Sequence, residues 1–308
     1  MPRRIAGSLA LVGMRIAVVG PGAIGSTVAA SLHRAGHAPL LCGRTARDHL
    51  DVRPDPAALG GKPIVVPGPV RTNPADITKS VDLVLLAVKA TQVGDASAWL
   101  GTLCDDNTTV YVMQNGVEQI ELVQPHCPAS TVVPAIVWCP AETQPEGWVR
   151  LRGQPELTLP VASGPVAAIL RDAGWRTTLT NDFVTAAWHK LATNAVAGLM
   201  VLTGRRSGMF QRDDVATLSR TYLQECLAVA RAEGANLGDD VIAGILDSLR
   251  NAPPDMATSM LGDRETRRPL EWNIRNGVIL RKAREHRLPA PVSEVVVPLL
   301  AAASDGPG

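Results

Sequence analysis

The sequence has almost no charge imbalance, no paired-cysteine motif and no long uncharged apolar run. Its 30 Lys and Arg stand against 29 Asp and Glu, a formal net charge of +1, and the basic residues are scattered. Nothing electrostatic marks the chain for nucleic acid or for an anionic membrane surface. The five cysteines, Cys42, Cys104, Cys127, Cys139 and Cys226, include no Cys-x-x-Cys pair and are odd in number. They argue against a disulfide framework and read as reduced, mostly buried thiols of a cytoplasmic protein. No uncharged apolar run is bounded like a membrane span of about 18 residues or more. Ala186–Leu202 comes nearest and carries Lys190 near its start, so a soluble chain is expected. Internal repeats, low-complexity tracts and motifs that call for a metal are also missing.

What is present is length and pattern. A chain of 308 residues has room for roughly two domains, each with its own core. Its 46% hydrophobic and 19% charged content is that of a globular protein. The opening MPRRIAGSLALVG sets two arginines before an apolar stretch, as a signal peptide does. No small-residue cleavage site separates it from MRIAVVGPGAIG, however. Residues 1–13 are expected to form a poorly ordered extension, with Met14 an alternative start.

Residues 14–180 read as a nucleotide-binding domain. Arg15–Val19 is a short β-rich run followed at once by GPGAIG, then by an apolar-periodic stretch that reaches Gly36, where a helix C-cap belongs. In this strand–turn–helix setting Gly20 permits the tight turn, Gly22 lets a pyrophosphate approach the backbone, and Gly25 lets helix and strand pack closely. Phosphates would rest on free N–H groups at the helix N-terminus, which brings Ala23 and Ile24 into the cofactor loop. The second strand, Ala38–Thr45, ends in Gly43-Arg44, with Arg47 following and no carboxylate before Asp48. NAD enzymes usually place an acidic residue there for the ribose hydroxyls, whereas a guanidinium pairs with a 2′-phosphate. The expected cofactor is therefore NADP (NADPH), the plainer alternative being a solvated arginine.

Further strands are expected at 63–66, 81–88, 108–113 and 131–138, continuous apolar runs that suit strands covered on both faces. Lys89 stands at the carboxyl end of one and Asn115, in Gln-Asn-Gly, at the end of the next. The carboxyl ends of a doubly wound sheet share one crevice, so Lys89 and Asn115 join the glycine loop and Arg44 as cofactor candidates. A solvated strand end and a simple Asn-Gly turn are the plainer readings. Residues 147–180 alternate around a helical segment and look like the closing edge of this domain.

From residue 181 to 308 helical patterns prevail, giving an all-helical second domain. Asp182 fits an N-cap. On the helix after it Lys190 and Asn194 share a face at i, i+4, while Trp188, Leu191, Ala195 and Leu199 are packing positions. Between Val184 and Thr203 the only other ionisable residue is His189. Burying an ammonium without a partner costs several kcal/mol or more. Either Lys190 snorkels along the helix edge to water, or a rigid helix holds a catalytic group in place. A second polar constellation spans Ser259–Leu288. Pro269 fits a first helical turn, with Ile274, Val278 and Arg281–Lys282 continuing the helix. Glu271 then falls on the buried stripe, an ordinary i, i+4 ion pair to Arg275 being its plain reading. Ser259 reads as an N-cap or surface hydroxyl. The tail, Ser304–Gly308, is expected to fray.

Taken together, GPGAIG, LLAVKATQV, MQNGVEQIE, WHKLATNA and SMLGDRETRRPLEWNIRNG resemble the ketopantoate reductase (2-dehydropantoate 2-reductase) family in order and spacing, from about Met14 to near residue 300. The resemblance implies an α/β Rossmann-type doubly wound sheet followed by an all-helical domain, with the active site in the cleft between them. It implies NADPH-dependent reduction of a 2-keto acid, ketopantoate in the type enzyme of pantothenate synthesis. By position it puts the catalytic lysine at Lys190, the carboxylate for the substrate hydroxyl at Glu271, the cleft asparagines at Asn115 and Asn194, and the substrate serine at Ser259. Its phosphate partners fall on Arg44 and Lys89. One departure concerns the substrate: the further asparagine that family members carry four residues after Asn194 is Gly198 here. TGRRSGMF (203–210) also differs from a typical member. Rival readings are a related NADP-dependent dehydrogenase for another hydroxy or keto acid, and a dinucleotide-sensing protein without turnover. A helical domain of this size often supplies dimer contacts, so a homodimer is the assembly considered.

Overall fold

The computed structural model describes residues 13–306. Except for Gly13, the expected N-terminal extension lies outside the described residues. The chain divides into two compact units. One comprises residues up to Gln114 with Gln119–Asn181; the other comprises Asn115–Glu118 with the residues from Asp182 on.

In the first unit, β1 (Ile16–Val19), α1 (Ala23–Arg34), β2 (Leu40–Cys42), β3 (His49–Pro54), β4 (Ile64–Pro67), β5 (Leu83–Leu86), α2 (Val93–Leu103) and β6 (Thr109–Val112) come first. Then follow α3 (Gln119–Val123), β7 (Thr131–Pro134), β8 (Ile136–Trp138), β9 (Ala141–Thr143), β10 (Val149–Leu151), β11 (Glu156–Pro160), α4 (Gly164–Asp172) and β12 (Arg176–Thr180). Strands in the order β2-β1-β5-β6-β7 form a parallel sheet. Every residue of β1 and β5 is buried, as strands covered on both faces must be. Ile16, Val18, Leu83 and Leu85 share a core with Val28 and Leu32 of α1. The alternate residues Ala17, Val19, Val84 and Leu86 pack with Trp99 and Leu100 of α2. This is the Rossmann-type sheet that the motif order implied.

Two strand expectations need correction. The 63–66 run forms β4, but it pairs antiparallel with β3 in a separate sheet ordered β4-β3-β10-β9. Its burial alternates, with Ile64 and Val66 inside and Val65 and Pro67 exposed, the pattern of a sheet with one wet face. The 131–138 run is two strands rather than one. β7 is the edge strand of its sheet, where a proline is tolerated. The ladder to β6 runs on to the Ala135 N–H, which donates to the Val112 carbonyl at 3.1 Å, and the chain then enters β8, in a third sheet ordered β12-β11-β8. Residues 147–180 supply β10 to the second sheet and β11, α4 and β12 around the third.

The second unit contains α5 (Phe183–Ala197), α6 (Leu199–Thr203), α7 (Asp213–Ala232), α8 (Asp240–Asn251), α9 (Ser259–Glu265), α10 (Val278–Glu285) and α11 (Pro291–Asp305). All the described strands lie in the first unit. The helices close over a core that includes Leu191, Met200, Phe210, Tyr222, Leu246, Val278 and Leu300. The Asp182 carboxylate caps α5, accepting from the Thr185 N–H at 3.1 Å. Thr258, not Ser259, caps α9, its hydroxyl accepting from the Leu261 N–H at 3.1 Å. Glu225 of α7 is buried beneath the start of α11 and accepts from the N–H groups of Val292 and Ser293 at 2.6 and 2.9 Å. A carboxylate there meets the positive end of the helix dipole.

Pro269 does not sit in a first helical turn. The chain leaves α9 through Arg267 in the left-handed region (φ 54°), and the Arg268 N–H returns to the Asp263 carbonyl. Helical backbone resumes only at Trp272, as a π turn over Asn273–Gly277 that runs into α10. At the far end, Ser304 and Asp305 of the tail expected to fray are helical, and Ser304 Oγ accepts from the Leu270 N–H at 3.0 Å. Pro307 and Gly308 lie outside the described residues. No helix among those described is long and apolar enough to cross a membrane.

Candidate active site

The glycine loop has the shape that a dinucleotide phosphate requires. Gly20 has φ 89°, and a Cβ there would lie 2.5 Å from Val88 Cγ1 and 2.8 Å from its backbone nitrogen. A Cβ on Gly25 would overlap the Gly20 carbonyl oxygen and meet Ala87 Cβ at 3.3 Å, so close packing of α1 on the sheet excludes a side chain. Gly22, by contrast, faces open space. It precedes α1, whose first turn, opened by Ala23 and Ile24, has neither an acidic residue nor a side-chain cap. The N–H groups of that turn are thus left for an anion, as phosphate binding at a helix N-terminus needs. These residues fit NADP.

Arg44 follows β2 with its side chain 70% exposed, Nη1 lying 3.7 Å from Asp95 Oδ2. A pair so exposed contributes little, which leaves the guanidinium able to take a phosphate. Lys89 stands three residues beyond β5 and opens a short 3₁₀ turn, Ala90–Gln92.

In the second unit the selected polar residues form a continuous chain. Asn194 Nδ2 donates to Asn115 Oδ1 at 3.4 Å, and Asn115 Nδ2 donates to Glu271 Oε2 at 3.3 Å. Arg275 Nη2 reaches the same Glu271 oxygen at 3.4 Å and donates to Ser259 Oγ at 2.9 Å. Three segments remote in sequence and the α9 N-terminus are thereby joined. Asn115 is available to them because Asn115–Glu118 packs with this unit, and Gly116 makes the turn at φ 105°. An Asn-Gly turn and a site amide are both present at the same two residues. Lys190 lies one turn before Asn194 on α5 and is only 8% exposed, which favours a held ammonium over one snorkelling to water.

The Glu271–Arg275 pair is not the ordinary surface bridge of its plain reading. Its side chains are 7% and 4% exposed, and a buried pair carries a desolvation cost that a surface pair does not.

Models of the family described as "Ketopantoate reductase PanE/ApbA" match residues 16–164, and those of its C-terminal part match residues 182–304. The chain belongs to the ketopantoate reductase family. A 2-dehydropantoate 2-reductase of Mycobacterium tuberculosis is 62% identical over 295 residues, covering 95% of this chain and 99% of that protein. Another, from Caulobacter vibrioides, is 34% identical over 94% of this chain and 99% of its own. Among solved structures, a dimeric ketopantoate reductase from Staphylococcus aureus has TM-score 0.83 at 27% identity, covering 96% of this chain and 100% of that one. A PanE/ApbA family ketopantoate reductase from Ralstonia eutropha has TM-score 0.85 at 28% identity, covering 95% and 99%.

Two residues of this family member were not singled out by sequence: Arg275, and Asn276 beside it. Asn276 is fully buried, and its Nδ2 donates to the Ala195 carbonyl and to the Tyr222 hydroxyl, each at 2.9 Å. Its amide fills the space over Gly198. A Cβ on Gly198 would lie 2.9 Å from the Ala195 carbonyl oxygen, 3.0 Å from Asn276 Nδ2 and 3.2 Å from its Oδ1. A side chain at this position would have to displace Asn276. The available signal for Arg275 was its place one turn after Glu271, which was itself assigned to a buried stripe; Asn276 had no comparable pattern.

Proposed function

We propose that this chain reduces 2-dehydropantoate (ketopantoate) to pantoate with NADPH, a reaction of pantothenate biosynthesis. The observation that carries this is the polar chain Asn194–Asn115–Glu271–Arg275–Ser259, which runs from half-buried amides through the buried Glu271–Arg275 pair to an exposed serine, with Lys190 one helical turn away from its first member. The M. tuberculosis and C. vibrioides relatives, named for the same reaction, support it.

NADPH, held by Gly20, Gly22, Ala23, Ile24 and Gly25 with Arg44 and Lys89 at its phosphates, supplies the hydride when bound. Reduction of the keto carbon places negative charge on the carbonyl oxygen. The Lys190 ammonium stabilises that charge more in the transition state than in the ground state, which is the condition for raising a rate. A lysine ammonium is also a proton donor at neutral pH, so Lys190 delivers the proton that completes the alcohol. Glu271 accepts a hydrogen bond from the substrate's own hydroxyl, and Ser259 donates to its carboxylate. Asn115 and Asn194 orient lysine and keto acid without titrating. The description of the S. aureus protein as dimeric supports a homodimer here. The free state of all five thiols suits a cytoplasmic setting.

The test is NADPH oxidation across a panel of 2-keto acids that includes ketopantoate, repeated with NADH. The highest kcat/KM is expected for ketopantoate with NADPH. A different acid turned over faster would move the assignment to a related dehydrogenase. Tight NADPH binding with no turnover of any acid would make the protein a sensor.

A further inference from the structure

Arg275 has no assigned part in the chemistry above, yet it touches both residues expected to hold the substrate. Its Nη2 donates to Ser259 Oγ at 2.9 Å and lies 3.4 Å from Glu271 Oε2. The residue is 3% exposed, and its Nε has no hydrogen-bond partner among the described residues. Stability alone gives a poor account of this arrangement. Apolar residues of similar volume often replace a buried ion pair without loss, and a buried N–H left unmet is an added cost.

We propose that Arg275 is a positioning residue that sets selectivity for keto acids carrying a hydroxyl, by fixing the direction of the hydrogen bonds made by Ser259 and Glu271. This rests on the keto-acid reductase assignment above. A guanidinium is only a donor. Ser259 Oγ is therefore the acceptor toward Arg275, and its own O–H is directed elsewhere, as a donor. That is the polarity a substrate carboxylate needs. Glu271 Oε2 receives Arg275, four residues on in the π turn that follows it, and Asn115 from a remote segment, so the carboxylate is held by donors from two directions. In that orientation it presents an acceptor to a substrate hydroxyl. One cation thus gives adjacent contacts opposite polarity, a donor for the carboxylate end and an acceptor for the hydroxyl end.

The test compares kcat and KM for ketopantoate and for its counterpart lacking the hydroxyl, in the wild-type chain, Arg275→Met and Arg275→Lys. NADPH affinity and thermal midpoint report on folding. Arg275→Met is expected to raise KM for the hydroxylated acid by about 10- to 100-fold, the range for loss of hydrogen bonds to charged groups. A smaller change is expected in kcat, and the ratio of kcat/KM between the two acids should fall toward one. Arg275→Lys should recover part of that ratio, because one ammonium keeps the charge but lacks the planar fork. If Arg275→Met fails to fold, a lowered ratio in Arg275→Lys carries the test. A ratio equal to wild type in every folded variant, or equal losses with both acids, overturns the proposal and leaves Arg275 a structural residue. Equal use of the two acids by the wild-type chain overturns it too. Absence of any keto-acid turnover in the wild type is instead the failure of the parent assignment.

Discussion

Glu271 shows what burial does to a common side chain. On a wet helix face its pairing with Arg275 would contribute little. At 6% exposure it can be maintained only by several donors, and Asn115 and Arg275 supply two. Glu271→Ala should raise KM for a hydroxylated keto acid by about 10- to 100-fold, the equivalent of one hydrogen bond to a charged group. The acid without the hydroxyl should change little. Steady-state kinetics with the two acids checks this, and an equal loss with both would remove the hydroxyl contact. Lys190, Asn194 and Glu271 stood out in the sequence as polar residues on apolar-periodic stretches, whereas Ser259 was pointed to by the family resemblance alone. Arg275 was legible only as a partner of Glu271. Its contact with Ser259 spans a non-helical stretch, residues 266–271, that no periodicity encodes.

At the scale of elements, the junction of α5 and α6 turns on Gly198. Alanine is the better helix former by about 1 kcal/mol, so an exposed glycine here would be improved by replacement. Gly198 is not in that situation. A Cβ would press on the Ala195 carbonyl oxygen and on the Asn276 amide, which cannot swing away without giving up Ala195 and Tyr222. Gly198→Ala should therefore destabilise the protein by about 1–3 kcal/mol, the usual cost of overpacking. Denaturant unfolding measures it, and an unchanged or raised midpoint would show that Asn276 yields. Elements defined by short-range signals were readable in advance. The strand, glycine turn and α1 follow one another within about one helix length, and Asp182 announces α5. Sheet membership was not readable. The 63–66 run alternates in burial because it lies in a second sheet with one wet face, and the 131–138 run splits because its two halves pair in different sheets, with β6 and with β11.

The whole molecule is two units whose sequence boundary is not a single cut. Asn115–Glu118 lies within the stretch that builds the first unit but packs with the second. Asn115 meets Asn194 and Glu271 there, while Glu118 pairs with Arg281 at 2.6 Å. These contacts join residues from 79 to 163 positions apart, a separation at which periodicity is silent: the strand-end position marked Asn115 as a crevice residue, and only motif resemblance paired it with Asn194 and Glu271. For the proposed reduction, this assembled polar chain must serve a lysine that does chemistry rather than binding alone. Replacing Lys190 by alanine and measuring kcat with ketopantoate at saturating NADPH tests that requirement most directly. A fall in kcat of about 10²- to 10⁴-fold is predicted, the range for loss of a positioned acid or oxyanion stabiliser, with NADPH affinity retained. A kcat close to wild type with only KM raised would contradict it, since Lys190 would then bind the keto acid equally in ground and transition states.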